Sequence, residues 1–100
     1  MVYLILIKKV RQQGNFHYYS VFKDNNEKDI NYYICLDANQ KKIFFHQELS
    51  KSAFAIYDLL ADAFDMYDPL LLPQINGRVI MKALKTLSSN SFPPNISWES

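Results

Sequence analysis

The chain has 100 residues, of which 49% are hydrophobic, and a formal net charge of +1. This is enough apolar material for one buried core, and it predicts a single domain over residues 1–100. One cysteine and two glycines exclude a disulfide framework, a paired-cysteine zinc site and a glycine-rich nucleotide loop.

The apolar start of the chain, residues 1–10, is too short to span a membrane, and it lacks a basic lead and a small-residue cleavage site. We therefore expect neither an anchor nor a signal peptide, and no membrane partner. The lone cysteine fits a reducing compartment, which predicts a cytoplasmic protein.

Four strands are predicted in the first half of the chain, where apolar residues alternate or cover both faces. They are Val2–Arg11, Phe16–Lys23, Ile30–Leu36 and Lys41–His46. Polar, turn-forming segments at residues 12–15, 24–29 and 37–40 separate them. Because short connections join antiparallel neighbours, these strands are expected to form a meander.

Two helices are predicted in the second half. Ser50 or Ser52 can cap a helix that runs to Tyr67 and ends at Asp68-Pro69. Asn76 can cap a second helix over residues 77–88. The predicted fold class is therefore α+β, an antiparallel sheet of about four strands followed by two helices packed on one face. Whether the tail, residues 89–100, adds a fifth strand stays open.

An acidic row is the first candidate site. On the first predicted helix, Asp58, Asp62 and Asp65 share one face at spacings of four and three, with no lysine between them. A solvated helix face is the common explanation of such a row. A partner surface is the second, because aligned carboxylates imitate a nucleic-acid backbone and fit a basic cleft. The predicted partner-binding residues are Tyr57, Asp58, Asp62, Asp65, Tyr67 and Asp68.

A basic stripe on the second predicted helix supports another hypothesis. Arg78, Lys82 and Lys85 are spaced four and three apart and could contact phosphates. Lys8, Lys9 and Arg11 of the first strand would enlarge this patch. Charge pairing with the acidic helix is the favoured explanation of this stripe, because surface charge pairs are common. A nucleic-acid-binding module is therefore the alternative and not the leading hypothesis.

Catalytic chemistry has little support in the sequence. His17 and His46 could form an acid–base pair for a metal-free ribonuclease, which is the third hypothesis, although no fixed spacing supports the pair. Cys35 stands within an apolar strand and is expected to be a small buried hydrophobe, not a nucleophile. We expect no enzyme activity, no cofactor, no metal and no small-molecule substrate.

The segments Tyr32–Asp37 and Lys41–Phe45, followed by an acidic helix, resemble small bacterial immunity proteins that neutralise contact-dependent or polymorphic toxins. The resemblance is one of size, aromatic hairpin and acidic helix. It implies a non-catalytic inhibitor whose partner is a cognate toxin domain, such as a nuclease, and which covers the active site of that domain.

Overall fold

The computed structural model describes residues 5–23 and 26–98. Its strands are β1 (Ile5–Gln13), β2 (Phe16–Lys23), β3 (Asn26–Asp37), β4 (Lys42–His46), β5 (Ala55–Asp58), β6 (Ala63–Tyr67) and β7 (Asn95–Trp98). A 3-10 turn, Leu72–Gln74, and one α-helix, α1 (Gly77–Ser89), lie between β6 and β7. All seven strands form one antiparallel sheet in the order β6-β5-β4-β3-β2-β1-β7.

The fold-class prediction is wrong, because the described residues hold seven strands and one α-helix in place of about four strands and two helices. The predicted meander itself is present as β1 to β4. A two-residue turn joins β1 to β2, and Gly14 adopts a φ of 60° there, which a side chain would disfavour. The strand β3 begins at Asn26, so part of the predicted polar loop is strand. The predicted start of the first strand at residues 2–4 and the loop residues 24–25 lie outside the described residues.

The first predicted helix is a β-hairpin. Strand β5 pairs with β4 and β6 pairs with β5, so the segment extends the sheet by two strands. The Asp58 carboxylate accepts hydrogen bonds from the backbone N–H groups of Leu60 (3.0 Å) and Ala61 (3.4 Å), which forms the turn. Asp62 then adopts a φ of 53°, which ends the turn and is incompatible with a helix. The turn between the two strands, residues 59–62, contains two leucines and an alanine, and its length of four residues gives the flanking apolar residues a spacing that also fits a helix.

The second predicted helix is confirmed with its cap. Helix α1 begins after Asn76, whose side chain accepts the N–H of Arg78, and ends at Asn90 in the left-handed conformation. The Nζ of Lys41 also donates to the carbonyl oxygen of Leu87 at 3.1 Å, which satisfies one of the last carbonyls of the helix. The chain then reaches the far edge, where β7 pairs with β1. The tail thus adds a strand, and α1 bridges one face between the two edge strands.

The core lies between α1 and this covered face of the sheet. The helix contributes Val79, Ala83 and Leu87, all at most 1% exposed. The sheet contributes Ile7, Tyr19, Val21, Tyr32, Ile34, Leu36, Ile43, Phe45 and Ala55. Phe64 of β6 packs against this cluster, and its ring centroid lies 6.4 Å from that of Phe45. The β5–β6 hairpin is thereby joined to the core through aromatic contacts.

The Asn76 cap gives a testable prediction. Replacing Asn76 with alanine removes the acceptor for the Arg78 N–H and should lower the free energy of unfolding by about 1 kcal/mol. Asn76→Asp, which keeps an acceptor, is the matched control and should lose much less. Urea unfolding followed by circular dichroism measures both, and equal losses in the two variants would contradict the capping role.

Candidate interaction surface

The second face of the sheet carries a row of side chains in register across six strands. Cross-strand pairing joins each member to the next, so all point to the same side, away from α1. We call this row the open-face stripe, and from β1 to β6 it consists of Arg11, Tyr18, Cys35, Phe44, Ile56 and Met66. The described residues place no helix over it, and Met66 at its end is 43% exposed.

The row on one side of the stripe is charged from β3 to β6, and on β2 it continues with Phe16, which is 40% exposed. Lys42 pairs across the strands with Asp37 and with Asp58, and its Nζ forms an ion pair with Asp65 at 2.8 Å. The hydrogen bond from Lys42 to the Asp65 carboxylate is the main cause that raises the pKa of Lys42, so the Lys42 side chain is charged at neutral pH. Asp37 is only 4% exposed, and its carboxylate accepts the turn N–H groups of residues 39 and 40.

The row on the other side is polar and mixed. It consists of Lys8, Ser20, Tyr33 and His46, which are again joined by register. The Ser20 hydroxyl donates to the Lys8 carbonyl at 3.2 Å, and the His46 Nδ1 lies 2.9 Å from the Lys51 carbonyl oxygen. The open face is therefore a stripe of mainly apolar side chains between two polar rows.

Packing within the stripe holds its central side chains in place. The Arg11 guanidinium lies 4.5 Å from the centroid of the Tyr18 ring, a cation–π contact that orients both side chains. Cys35 is 3% exposed, between its paired neighbours Tyr18 and Phe44, and burial raises the pKa of its thiol to about 11. The expectation of a small buried cysteine is confirmed, and the thiolate form is scarce at neutral pH.

The acidic row predicted on a helix does not exist as a row. Asp58 and Asp62 serve the β5–β6 turn, where Asp62 accepts the Tyr57 hydroxyl at 2.5 Å. Asp65 is paired with Lys42, and the Asp68 carboxylate accepts the Leu70 N–H at 2.9 Å. Each carboxylate thus has a partner within the chain, and a strand hairpin spreads the four over both sides of the sheet.

The tyrosines predicted beside that row lie away from the stripe. Tyr57 pairs with Ile43 and points to the covered face, and Tyr67 pairs with Ala55 on that same side of the sheet. Tyr67 is nevertheless 52% exposed, because β6 is an edge strand. Of the six predicted partner-binding residues, the structure brings only Asp58 and Asp65 next to the stripe.

The predicted basic patch is also divided. Lys8 and Arg11 lie on the open face, whereas Arg78, Lys82 and Lys85 belong to α1 on the covered face. Lys9 points to the α1 side, where its Nζ donates to the Phe92 carbonyl oxygen at 3.4 Å. The sheet therefore separates the two halves of the patch.

The two histidines lie on opposite faces of the sheet. His17 pairs with Leu36 on the covered face, and His46 pairs with Tyr33 on the open face. They cannot form the acid–base pair of the third hypothesis. Among the described residues, no group of three or more histidine, cysteine, aspartate or glutamate side chains is arranged to hold a metal ion.

His17 gives a prediction on pH. Its ring is 7% exposed, stacks on Phe92 at a centroid distance of 3.8 Å, and leaves Nδ1 without a hydrogen-bond partner. Burial, and secondarily the charge of Lys9, lowers the pKa of His17 below its usual value of 6.5. The unfolded chain therefore binds a proton at His17 more readily than the folded protein does. The free energy of unfolding should decrease as the pH falls from about 6.5 toward the pKa of His17 in the folded state.

The measurement is urea unfolding between pH 7.5 and 5.0, compared with His17→Leu. We expect the wild-type free energy of unfolding to fall more steeply with decreasing pH, with a slope difference of at most about 1.4 kcal/mol per pH unit. Parallel curves for the two proteins would contradict the assignment.

The stripe was missed in the sequence because its members belong to six different strands. One signal was available: in β4 the alternation of buried Ile43 and Phe45 leaves Phe44 as an aromatic between Lys42 and His46 on the polar side.

None of the described helices is long and apolar enough to cross a membrane. Comparison with known proteins gave no match: no family model, no curated protein and no solved structure shows significant similarity to this chain.

Proposed function

We propose that this chain is a small binding protein that acts without catalysis of its own, and that it binds another protein through the open-face stripe. The observation that carries the proposal is the in-register row of Tyr18, Phe44, Ile56 and Met66, which no described helix covers. An apolar centre with aromatic members and a polar rim is the usual composition of a protein–protein interface.

The charges of this face favour a protein over a nucleic acid. Among the described side chains of the three rows, Lys8, Arg11 and Lys42 are balanced by three aspartates, Asp37, Asp58 and Asp65. A phosphate backbone requires an excess of positive charge, whereas alternating charges around an apolar centre suit a protein partner and select its orientation.

The dimensions also fit. The stripe crosses five inter-strand steps and is about 24 Å long, whereas each polar row crosses three steps and is about 14 Å long. With the rows about 7 Å apart, the three rows cover roughly 270 Å² between their outer axes. A stable interface buries about 800 Å² on each partner, with a central apolar region and a surrounding rim. The stripe and its two polar rows therefore have the size of the central region of such an interface.

A toxin domain is the partner that we propose to test first. The support is the resemblance to small immunity proteins in size and in the aromatic hairpin of Tyr32–Asp37 and Lys41–Phe45. The acidic helix, the third feature of that resemblance, does not support it, because this segment is the β5–β6 hairpin. In this proposal the chain acts in the cytoplasm and covers the active site of the toxin domain. We take the open face and not the aspartates as the binding surface, because Asp58, Asp65 and Asp68 are engaged within the chain.

The experiment is co-expression with the product of the adjoining reading frame, because immunity and toxin genes are commonly neighbours. We expect a one-to-one complex that survives gel filtration, and rescue of growth when the neighbour is toxic. Matched variants are Ile56→Asp on the stripe and Lys85→Asp on the exposed side of α1. Loss of the complex with Lys85→Asp but not with Ile56→Asp would refute the open face as the binding surface.

A further inference from the structure

Strand β6 ends the sheet, and apolar side chains are exposed around it. The described structure pairs β6 with β5 only, so its outer backbone groups face no strand. Leu60, Met66, Tyr67 and Leu70 are 80%, 43%, 52% and 86% exposed, respectively. Natural edge strands usually carry lysine or proline or are covered by a helix or loop, because the unpaired N–H and C=O groups of an open edge can pair with a strand of another chain. The one charged residue of β6 is Asp65, which is already paired with Lys42.

A groove lies at the end of this strand. It has a volume of about 300 Å³ and is lined by Phe54, Met66, Tyr67 and Leu71, with Lys51 and Asp68 among its polar residues. A strand added beside β6 would pass directly toward this groove. Strand addition characteristically combines main-chain hydrogen bonds with pockets that receive alternate side chains.

The backbone geometry indicates which groups are available. The Asp68 N–H donates inward to the Phe54 carbonyl oxygen at 2.8 Å. Because N–H directions alternate along a strand, the N–H of Tyr67 points outward, away from β5. Tyr67 can therefore supply both a donor for an added strand and an exposed ring beside the groove.

We propose that the β6 edge receives an extended segment of the protein partner as an eighth strand, with an apolar side chain of that segment in the groove and a basic residue near Asp68, whose charge no described ion pair balances. This proposal rests on the proposed function, since it takes the partner to be a protein. Met66 belongs to both the stripe and the groove, so the added strand would continue the open-face interface.

Charge selects a partner segment over a second copy of the chain. Asp65 is the middle residue of β6, so a symmetric antiparallel pairing of two copies would place the two Asp65 side chains opposite each other. The ion pairs Lys42–Asp65 and Lys51–Glu48 each have no net charge, and Asp68 adds one negative charge to this edge. A partner segment with a lysine or arginine within reach of Asp68 complements this charge.

The test uses two synthetic eight-residue peptides of alternating valine and threonine, one with lysine and one with aspartate at the centre. Amide shifts of the isotope-labelled full chain are followed during titration. We expect the lysine peptide to shift the amides of Ala63–Tyr67 and to bind at least fivefold more tightly than the aspartate peptide. Equal affinities, shifts absent from β6, or equal shifts at the other edge, Asn95–Trp98, would overturn the proposal.

A matched pair of variants tests the main-chain contact. Tyr67→Pro removes the outward N–H, and Tyr67→Thr removes the ring but keeps the N–H. The proline variant should bind the lysine peptide at least tenfold more weakly than the threonine variant, and equal binding would overturn the proposal. If the proline variant fails to fold, the comparison of the lysine and aspartate peptides on the wild-type chain still tests the proposal.

A further variant separates this inference from the proposed function. Phe44→Ala, on the stripe, should leave peptide binding unchanged. If partner binding requires Phe44 and neither peptide binds β6, the proposal of strand addition at β6 is refuted, whereas the proposal that the partner binds the open face is retained.

Discussion

Replacing Phe45 with alanine should remove about 3 to 5 kcal/mol from the free energy of unfolding. The Phe45 ring is fully buried, and its centroid lies 6.1 Å from that of Tyr32, 6.3 Å from that of Phe54 and 6.4 Å from that of Phe64. It therefore connects three parts of the fold: the central strand β3, the segment before β5, and β6. Truncation leaves a cavity that these rings cannot fill without moving the hairpin.

Phe44 is the natural control, because it is the next residue in the chain and points to the opposite face. Its side chain is half-buried on the open face, so Phe44→Ala should cost much less, on the order of 1 kcal/mol. Urea unfolding followed by circular dichroism measures both losses. Similar losses for the two variants would mean that the faces of β4 are wrongly assigned.

Phe44→Ala should instead weaken the proposed complex by about 30-fold or more. Phe44 lies near the middle of the stripe, between Cys35 and Ile56 in register, where a partner would exclude water from its ring. Central aromatic side chains commonly contribute 2 kcal/mol or more to binding, and 1.4 kcal/mol corresponds to a factor of ten in the dissociation constant. Titration calorimetry with the partner purified from the co-expression measures the change.

Two controls accompany this measurement. Lys85→Ala, on the exposed side of α1, should leave the dissociation constant within a factor of two. Arg11→Ala removes the guanidinium over Tyr18 at the end of the stripe and should have an intermediate effect. A Phe44→Ala variant that folds and binds as tightly as the wild type would exclude the stripe from the interface.

Local signals in the sequence were sufficient for much of the sheet. Strands β1 to β4 alternate at period two and are joined by short polar turns, so neighbouring pairs follow from local pattern alone. The helix over residues 77–89 has a capping asparagine and an apolar stripe at helical spacing, and both signals are local. Most ends of these elements lie within a few residues of the predicted ends. The exception is β3, which begins at Asn26, four residues before its predicted start.

The segment 55–67 shows where local signals fail. Its apolar residues fit helical spacing as well as two short strands, and Leu and Ala in the turn favour the helical interpretation. The contacts that decide are long-range: Ala55 pairs with Phe45, and Phe64 packs against the buried core. A segment that can complete a sheet edge and bury aromatic rings becomes strand even where its intrinsic propensity is mixed.

The sequence by itself determined a single core, the first four strands, the capped helix and the buried state of Cys35, because composition, period and capping are properties of neighbouring residues. Only the tertiary structure decided that the aspartates belong to turns and ion pairs, that the basic residues are divided between two faces, and that one side chain from each of six strands forms a stripe. Which residues share a face depends on strand register and on the side that α1 covers. Register follows from pairing across the whole sheet and not from any one segment of the chain.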